Sequence, residues 1–243
     1  MTSPTPGAGR YLAAQMAEDY LRGQILDGFF ESGSRVSDVK LSKVLDVGRA
    51  SVREAILSLS KEGLLEIIPN RGAFVPAFSV DQVLNLFELR EALETFAVRL
   101  AAKRASALKL NSLSEMLLVS KLSVVKHGGQ YPAQLDFHER VVSMSENPEI
   151  IARCRAVSSR LIIARRRSGS RPARADEAIL EHQEILDALV ERNPSRAEAA
   201  MRGHLLHASE SFLQSLELSD KPPERTSDTH QSKRSVPAKA PTA

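Results

Sequence analysis

Residues 47–76 read VGRASVREAILSLSKEGLLEIIPNRGAFVP, and this stretch decides the fold of the first third of the chain. Apolar side chains recur at helical spacing between Arg49 and Lys61, which predicts a helix with one buried face that Gly63 terminates. The inward residues of this helix are predicted to be Val52, Ala55, Ile56 and Leu59. Two short apolar runs, 64–68 and 73–76, flank PNRG, which is typical of a β-hairpin because Asn and Gly tolerate positive φ.

Upstream of this stretch, the periodicity predicts a helix over 11–27 and a short helix over 38–45, followed by a tight turn at 46–48. Helix, short helix, turn, helix and hairpin within 10–76 is the layout of a winged helix-turn-helix, a DNA-binding module. Residues 1–9 are rich in Pro, Gly, Ser and Thr and are predicted to form a mobile arm.

Downstream of Ala77 the pattern predicts six helices with short connections, and therefore an antiparallel six-helix bundle over 80–217. The predicted helices are Val80–Arg104, 110–127, 132–145, 148–167, 173–192 and 195–217. On the first of these, one apolar face is predicted from Leu86, Leu89, Leu93, Phe96 and Leu100. Residues 219–243 are rich in Pro, Ser, Lys and Thr and are predicted to be disordered.

Composition limits the class of protein. The chain has 243 residues, 42% of them hydrophobic and only 5% aromatic, which favours a mostly α protein with a real core. A single cysteine excludes a disulfide framework and a Cys-based zinc site. No apolar run approaches the ~18 residues that span a bilayer, and the N-terminus lacks the pattern of a secretory signal, so a cytoplasmic protein without membrane contact is expected. With a net charge of only +3 the chain is not a polycation, so a nucleic-acid site must come from local clustering of basic residues.

Such a cluster lies at the start of the helix that begins at Arg49. Arg49 and Arg53 are four residues apart and share a face, where guanidinium groups bind guanine edges or phosphate. Arg71 at the hairpin tip is predicted to contact phosphate or the minor groove, and Lys40 and Lys43 to contact the DNA backbone. The alternative is a solvated basic face.

Three histidines of the bundle each fall on the apolar side of their own helix: His138, His182 and His204. Three neutral imidazoles aimed at one interior can bind a divalent metal such as Zn, Ni or Mn. The alternative for each is a buried histidine with ordinary hydrogen-bond partners.

The run from Tyr20 to Val75, and above all VGRASVREAI and EGLLEIIPNRGAFV, resembles the DNA-binding domain of the GntR family of bacterial transcription regulators. The resemblance implies that Arg49, Ser51, Arg53 and the wing pair Arg71 and Gly72 contact operator DNA. Gly48 stands where the family usually has Ser, and this departure removes a hydroxyl that would contact phosphate and cap the helix.

Three bundle segments, LREALETFAVRLAA, LDFHERV and EHQEILDALVERNPSRAEAAMRGHL, resemble the FadR-type FCD domain that accompanies a subset of this family. The resemblance implies a divalent metal on the three histidines and on an Asp one helical turn before the first. Gln134 occupies that position here, and its amide oxygen is a weaker ligand than a carboxylate. The expected outcomes are therefore weak metal binding or a ligand held without metal.

Arg90 and Glu94 are spaced i, i+4, which favours an intrahelical ion pair. The resemblance offers another interpretation, in which Arg90 faces the cavity and binds the carboxylate of a small organic acid. Arg160 is a second candidate for an anionic effector.

Together these features predict a homodimeric, ligand-responsive transcriptional regulator, more often a repressor, on a pseudo-palindromic double-stranded operator. The alternatives are a metal-sensing regulator and a His-ligated metalloenzyme. An enzyme is not expected, since no general base or nucleophile stands in a specific motif.

Overall fold

A computed structural model describes residues 6–126, 136–165 and 172–219 of the chain. The first part comprises α1 (Pro6–Asp27), β1 (Arg35–Val36), α2 (Asp38–Val44), α3 (Arg49–Lys61), β2 (Glu66–Ile68) and β3 (Gly72–Phe74). The second part comprises α4 (Val80–Arg104), α5 (Ala107–Lys126), α6 (Phe137–Ser143), α7 (Pro148–Arg165), α8 (Pro172–Val190) and α9 (Pro194–Ser219). The predicted combination of a winged helix-turn-helix with a six-helix bundle is confirmed.

The wing is a small antiparallel sheet in the order β1–β3–β2. Ala73 on the central strand pairs with Val36 on one side and with Ile67 on the other. The sheet closes over a core shared with the three helices, whose most buried members include Ala17, Leu21, Ile25, Leu41, Val52, Leu59, Leu64 and Val75. This core fixes the position of α3 relative to the wing.

Helix α4 is the central element of the bundle and packs against α6, α7, α8 and α9. Its start is fixed by a capping box, in which Ser79 accepts the N–H of Gln82 and Gln82 accepts the N–H of Ser79. Small residues on its inner face, including Ala97, Ala101 and Ala102, are fully buried and let the neighbouring helices approach closely. None of the described helices is long and apolar enough to cross a lipid bilayer.

The two parts meet along α7. Ile163 of α7 is buried in the core of the winged module, and the Arg160 guanidinium lies 5.7 Å from the centre of the Phe78 ring. Gly63 of the winged module has a φ of +76°, and a Cβ on it would lie 2.9 Å from Cδ of Arg160. A glycine is therefore required there both by the backbone and by the neighbouring side chain.

Several predicted boundaries are wrong. Helix α1 begins at Pro6, so residues 6–9 are helical and do not belong to an irregular arm. Helix α6 begins at Phe137 with Asp136 as its N-cap, later than the predicted 132. Strand β1 was not predicted, because a two-residue strand has no periodicity to detect. The predicted tail beyond residue 219 lies outside the described residues, as do residues 1–5.

The predicted apolar face of α4 is wrong in part, since Leu86 is buried and Leu93 packs against the core but two other members of the face do not. Leu89 and Phe96 are 45% and 50% exposed, whereas the charged residues Arg90 and Glu94 are buried. Arg90 and Glu94 tolerate burial because their charges neutralise each other. Glu94 also accepts a hydrogen bond from His138.

Candidate functional site

The first candidate surface is the exposed N-terminal end of α3. Arg49 is the first residue of this helix, and the side chains of Arg49 and Arg53 are 54% and 64% exposed. Both guanidinium groups donate to one oxygen, Oδ2 of Asp38, from Nη2 of Arg49 at 3.2 Å and from Nε of Arg53 at 2.8 Å. The two arginines thus lie on one face of α3, as their spacing predicted, and share Asp38 as their acceptor.

The neighbouring predicted contacts divide into two groups. Lys40 and Lys43 are exposed on α2, the helix that also carries Asp38. Ser51 is 5% exposed, and its side chain therefore does not lie on the surface that the resemblance assigned to it. The reason is helical geometry, because Ser51 falls on the same inward face as Val52 and Ala55.

The wing carries a second basic group. Arg71 is exposed in the turn between β2 and β3, and its guanidinium lies 5.6 Å from the centre of the Phe74 ring. Gly72 has a φ of +107°, and a Cβ on it would lie 3.3 Å from Nε of Arg35. Arg35 was not predicted as a site residue, because only the pairing of β1 with β3 brings it to the wing.

The second candidate site is inside the bundle. His138 on α6, His182 on α8 and His204 on α9 converge, and one ring nitrogen from each lies within 4.8 Å of the others. Nε2 of His138 and Nε2 of His204 are 3.0 Å apart. The convergence predicted from three separate apolar faces is therefore present. Gln134, the predicted fourth ligand, lies outside the described residues.

Local packing holds these rings in place. His182 is 3% exposed and stacks on Phe137, with ring centres 4.1 Å apart and planes 12° from parallel. His138 follows Phe137 directly at the start of α6, where Asp136 caps the helix by accepting the N–H of Glu139. The short helix α6 therefore supplies both a ligand candidate and the ring that supports another.

Two carboxylates hold the outer nitrogens of two of the rings. Nδ1 of His138 lies 2.7 Å from Glu94, whose other oxygen accepts Nε of Arg90 at 2.7 Å. Nδ1 of His204 lies 2.6 Å from Oε2 of Glu181. The other oxygen of Glu181 lies 2.6 Å from Nδ1 of His207. Glu181 was not predicted, since on α8 it looks like an ordinary surface glutamate.

These contacts decide where the protons are. Burial lowers the pKa of His138, His182 and His204, so the rings are neutral at pH 7. Burial alone would raise the pKa of Glu181, but hydrogen bonds from His204, Arg174 and His207 lower it to about 2. A neutral imidazole that donates Nδ1–H to a carboxylate carries a lone pair on Nε2. When each ring donates Nδ1–H to its carboxylate, the two facing Nε2 atoms of His138 and His204 are both acceptors.

At 3.0 Å the two Nε2 atoms can share one proton in an N–H···N hydrogen bond, or both can direct lone pairs at a cation that lies between them. Metal–imidazole bonds are about 2.0–2.1 Å long, which places neighbouring ligand nitrogens about 3.0–3.4 Å apart at the usual coordination angles. The carboxylates behind the rings also form the carboxylate–histidine pairs that orient metal ligands. The His138–His204 pair therefore has the spacing of two ligands of a divalent cation, and His182, with a ring nitrogen within 4.8 Å of theirs, is a candidate for the third.

Positive charge surrounds the three rings. Arg90 is buried, and Arg165 and Arg174 are near enough for their charges, with that of Arg90, to lower the pKa of His138 further. The pKa of Arg165 is lowered to about 10 by burial and then by the charges of Arg90 and Arg174. Arg90 forms the predicted ion pair with Glu94, and its role in binding an effector stays a prediction. Arg160 lies against Gly63 and Phe78, and its assignment to an effector also stays a prediction.

A polar cavity of about 440 Å³ opens beside the cluster between α8 and α9. Its lining residues are Arg174, Glu177, Glu181, His207, Glu210, Ser211 and Gln214. Glu181 lines this cavity and also lies 2.6 Å from Nδ1 of His204, so one side chain belongs to both the cavity wall and the histidine cluster.

Two family models match the chain. Residues 13–75 match the model described as "Bacterial regulatory proteins, gntR family", and residues 85–207 match the model described as "FCD domain". The first match contains the exposed arginine pair and the wing, and the second contains all three histidines.

Known proteins are similar over most of the length. The Nta operon transcriptional regulator of Aminobacter aminovorans is 32% identical over 190 residues, which is 78% of this chain and 88% of the relative. The transcriptional repressor NanR of Cronobacter sakazakii is 27% identical, over 79% of this chain and 82% of the relative. Among solved structures, E. coli McbR/YncC superposes with a TM-score of 0.70 at 20% identity, covering 89% of this chain and all of that one, which supports the fold alone.

Acid is expected to destabilise the chelator-treated protein through the histidine cluster. The pKa of His182 is lowered in the folded state from the ordinary 6.5, so the unfolded chain takes up the proton first. The stabilising contribution is therefore complete above pH 6.5 and is lost as the pH falls below it, by up to about 1.4 kcal/mol per pH unit for each histidine. Urea unfolding between about pH 7.5 and pH 5.5 measures this slope.

The variant His182→Gln is expected to reduce the slope. His207→Gln is the matched control, because His207 is 58% exposed and is not one of the three clustered rings. A slope that is the same in the wild type and in His182→Gln would contradict the prediction.

Proposed function

This chain belongs to the gntR family of bacterial regulatory proteins and carries an FCD domain, and we propose that it is a ligand-responsive repressor of transcription. In this proposal a homodimer binds a pseudo-palindromic operator, and a small organic acid in the bundle changes its affinity. The observation that carries the proposal is the exposed guanidinium pair at the tip of α3, within the module that matches the family. The similarity to the repressor NanR supports the sign of regulation, and a cytoplasmic location follows from the proposed target.

A dimer is supported by apolar side chains that the single chain leaves in solvent. Leu89 and Phe96 on α4 and Ile162 on α7 are each more than 40% exposed. A second copy would cover them, and two-fold symmetry would then present two α3 helices to two operator half-sites.

The bundle supplies the proposed ligand site. A carboxylate is attracted by Arg90, Arg165 and Arg174, whose charges converge on the three histidines. His138, His182 and His204 would hold a divalent ion, which would add positive charge for binding an anion. A second candidate function is a regulator for which the metal itself is the signal. It is favoured by the 3.0 Å spacing of the Nε2 atoms of His138 and His204, which suits two metal ligands.

Helix α7 is the proposed connection between ligand and DNA. Ile163 packs in the core of the winged module, and Arg165 is charge-coupled to Arg90 and Arg174. A shift of α7 caused by ligand binding would therefore move the winged module, and typical coupling energies of about 1–3 kcal/mol suffice for regulation. The curated relatives are named as regulators, which supports this function over a His-ligated metalloenzyme.

Replacing Arg49→Ala together with Arg53→Ala is expected to weaken binding to the DNA upstream of the chain's own gene. Each bidentate base contact contributes about 1–3 kcal/mol, so the affinity should fall by at least roughly 30-fold. Fluorescence anisotropy at about 0.15 M salt measures the loss, and the salt must be fixed because phosphate contacts depend steeply on it.

The control is Arg153→Ala with Arg155→Ala, which removes two exposed arginines from α7. An equal loss in both double variants would assign the effect to bulk charge. A wild-type protein that binds this DNA no better than random DNA would contradict the proposed function.

Wild-type protein incubated with Zn²⁺ or Ni²⁺ and dialysed is expected to retain metal, measured by elemental analysis. His138→Ala with His182→Ala should abolish retention, and Glu94→Gln should weaken the affinity by roughly 10- to 100-fold because the carboxylate no longer orients His138. His207→Ala, at the cavity edge, is the matched control and should retain metal. If the wild type retains no metal after this incubation, the metal proposal is contradicted and a small organic acid is the one ligand still proposed for the bundle.

Small carboxylates such as citrate, malate and lactate are expected to raise the melting temperature, because a ligand that binds only the folded state stabilises it by mass action. Arg90→Gln should abolish the increase. Arg99→Gln, which removes an exposed arginine from the same helix, should preserve it. Equal responses of the two variants would contradict the role of Arg90. A response that occurs only with added metal would indicate that the organic acid binds together with the metal.

A further inference from the structure

We propose that Asp38 determines how selectively the chain reads DNA. Its carboxylate holds Arg49 and Arg53 in one orientation for base edges and competes with DNA phosphates for the same two groups. This inference rests on the proposed DNA-binding function and concerns a residue that neither the sequence pattern nor the family resemblance singled out.

The carboxylate of Asp38 lies in the first turn of α2 but does not cap that helix. Ser37 caps α2 by accepting the N–H of Lys40 at 3.3 Å, so Asp38 is not needed as the cap. Its Oδ2 reaches across to α3 instead and accepts from Nε of Arg53 and Nη2 of Arg49. The side chain of Asp38 is 22% exposed, compared with more than half for each arginine, so the acceptor is the most enclosed member of the cluster.

The N-terminus of α3 has no negative side chain of its own, so the negative charge must come from a neighbouring element. The first turn of α3 contains no acidic residue, and its N-cap, Gly48, has no side chain to accept a hydrogen bond. A helix N-terminus carries partial positive charge, which repels the two guanidinium groups placed there. Asp38 supplies the missing negative charge from the neighbouring helix.

Hydrogen bonding at Nε leaves the far end of Arg53 available. Among the described residues, neither Nη group of Arg53 has a hydrogen-bond partner, and a terminal fork of this kind binds the O6 and N7 atoms of guanine. Because Asp38 holds the Arg53 side chain in this orientation before DNA binds, less side-chain entropy is lost when the side chain contacts a base.

The same carboxylate discriminates against random DNA. Binding without sequence preference comes almost entirely from phosphate contacts, which bring negative charge to these guanidinium groups. Asp38 repels a phosphate that approaches them, whereas the uncharged edge of a base meets no such repulsion. The expected result is weak binding to random DNA with little loss at the operator.

The test compares two probes: the duplex that wild-type protein enriches most from a randomised pool, and a shuffled duplex of the same composition. Asp38→Asn keeps the shape and one acceptor oxygen but removes the charge. It should raise the affinity for the shuffled duplex by roughly two- to thirty-fold, the combined size of two partly exposed ion pairs, and lower the ratio of affinities accordingly. Its salt dependence on the shuffled duplex should be steeper than that of the wild type. Asp38→Glu should restore the ratio.

Asp46→Asn is the matched control. It removes the same charge from the exposed turn before α3, at a φ of 52° that Asn tolerates well. An equal fall of the ratio in both variants would assign the effect to bulk charge and overturn the proposal, as would an unchanged ratio in Asp38→Asn. Asp38→Ser provides a second neutral variant should Asp38→Asn fail to fold. If the wild type enriches no duplex, the proposed DNA-binding function fails as well, and the two failures are thereby distinguished.

Discussion

The facing Nε2 atoms of His138 and His204, 3.0 Å apart in a buried space, are the constraint on which the bundle depends. Each ring is held from behind by a carboxylate, so neither can turn away from the other without losing its partner. These contacts join four helices, since Glu94 lies on α4, His138 on α6, Glu181 on α8 and His204 on α9. Whatever binds between the rings therefore acts on most of the bundle at once.

Helix α7 extends that constraint to the DNA-binding module. Arg165 at its end responds to the charges around the histidines, while Ile163, two residues earlier, is part of the core beneath α3. Arg160 fills the space that the missing side chain of Gly63 leaves open. Close packing on both faces makes α7 unable to move relative to one part without disturbing the other, which is the physical requirement for coupling two sites.

Periodicity and capping predicted much of this structure. The bounds of α3 and α4 were predicted correctly from the spacing of their apolar residues, with Gly63 as the signal that ends α3. The three histidines were found because each lies among apolar residues of its own helix. The inner face of α4 was predicted only in part, since burial of Arg90 and Glu94 depends on a partner, His138, that is 44 residues away from Glu94 in sequence. Glu181 and Asp38 escaped detection for the same reason, because their roles come from contacts between helices.

The balance of charge around the histidines bears on what the bundle recognises. Among the described residues, Arg90, Arg165 and Arg174 act on His138 as positive charges, and Glu94 and Glu181 are the carboxylates bonded to the rings. Asp136 also interacts with Arg90 and Glu94, and Glu177 pairs with Arg174 at 3.7 Å, so carboxylates of the protein itself compensate the three arginines. Buried charge is stable only when it is compensated. A divalent cation between the neutral imidazoles would add positive charge that these carboxylates do not compensate, and in the proposed function an anionic ligand would compensate it.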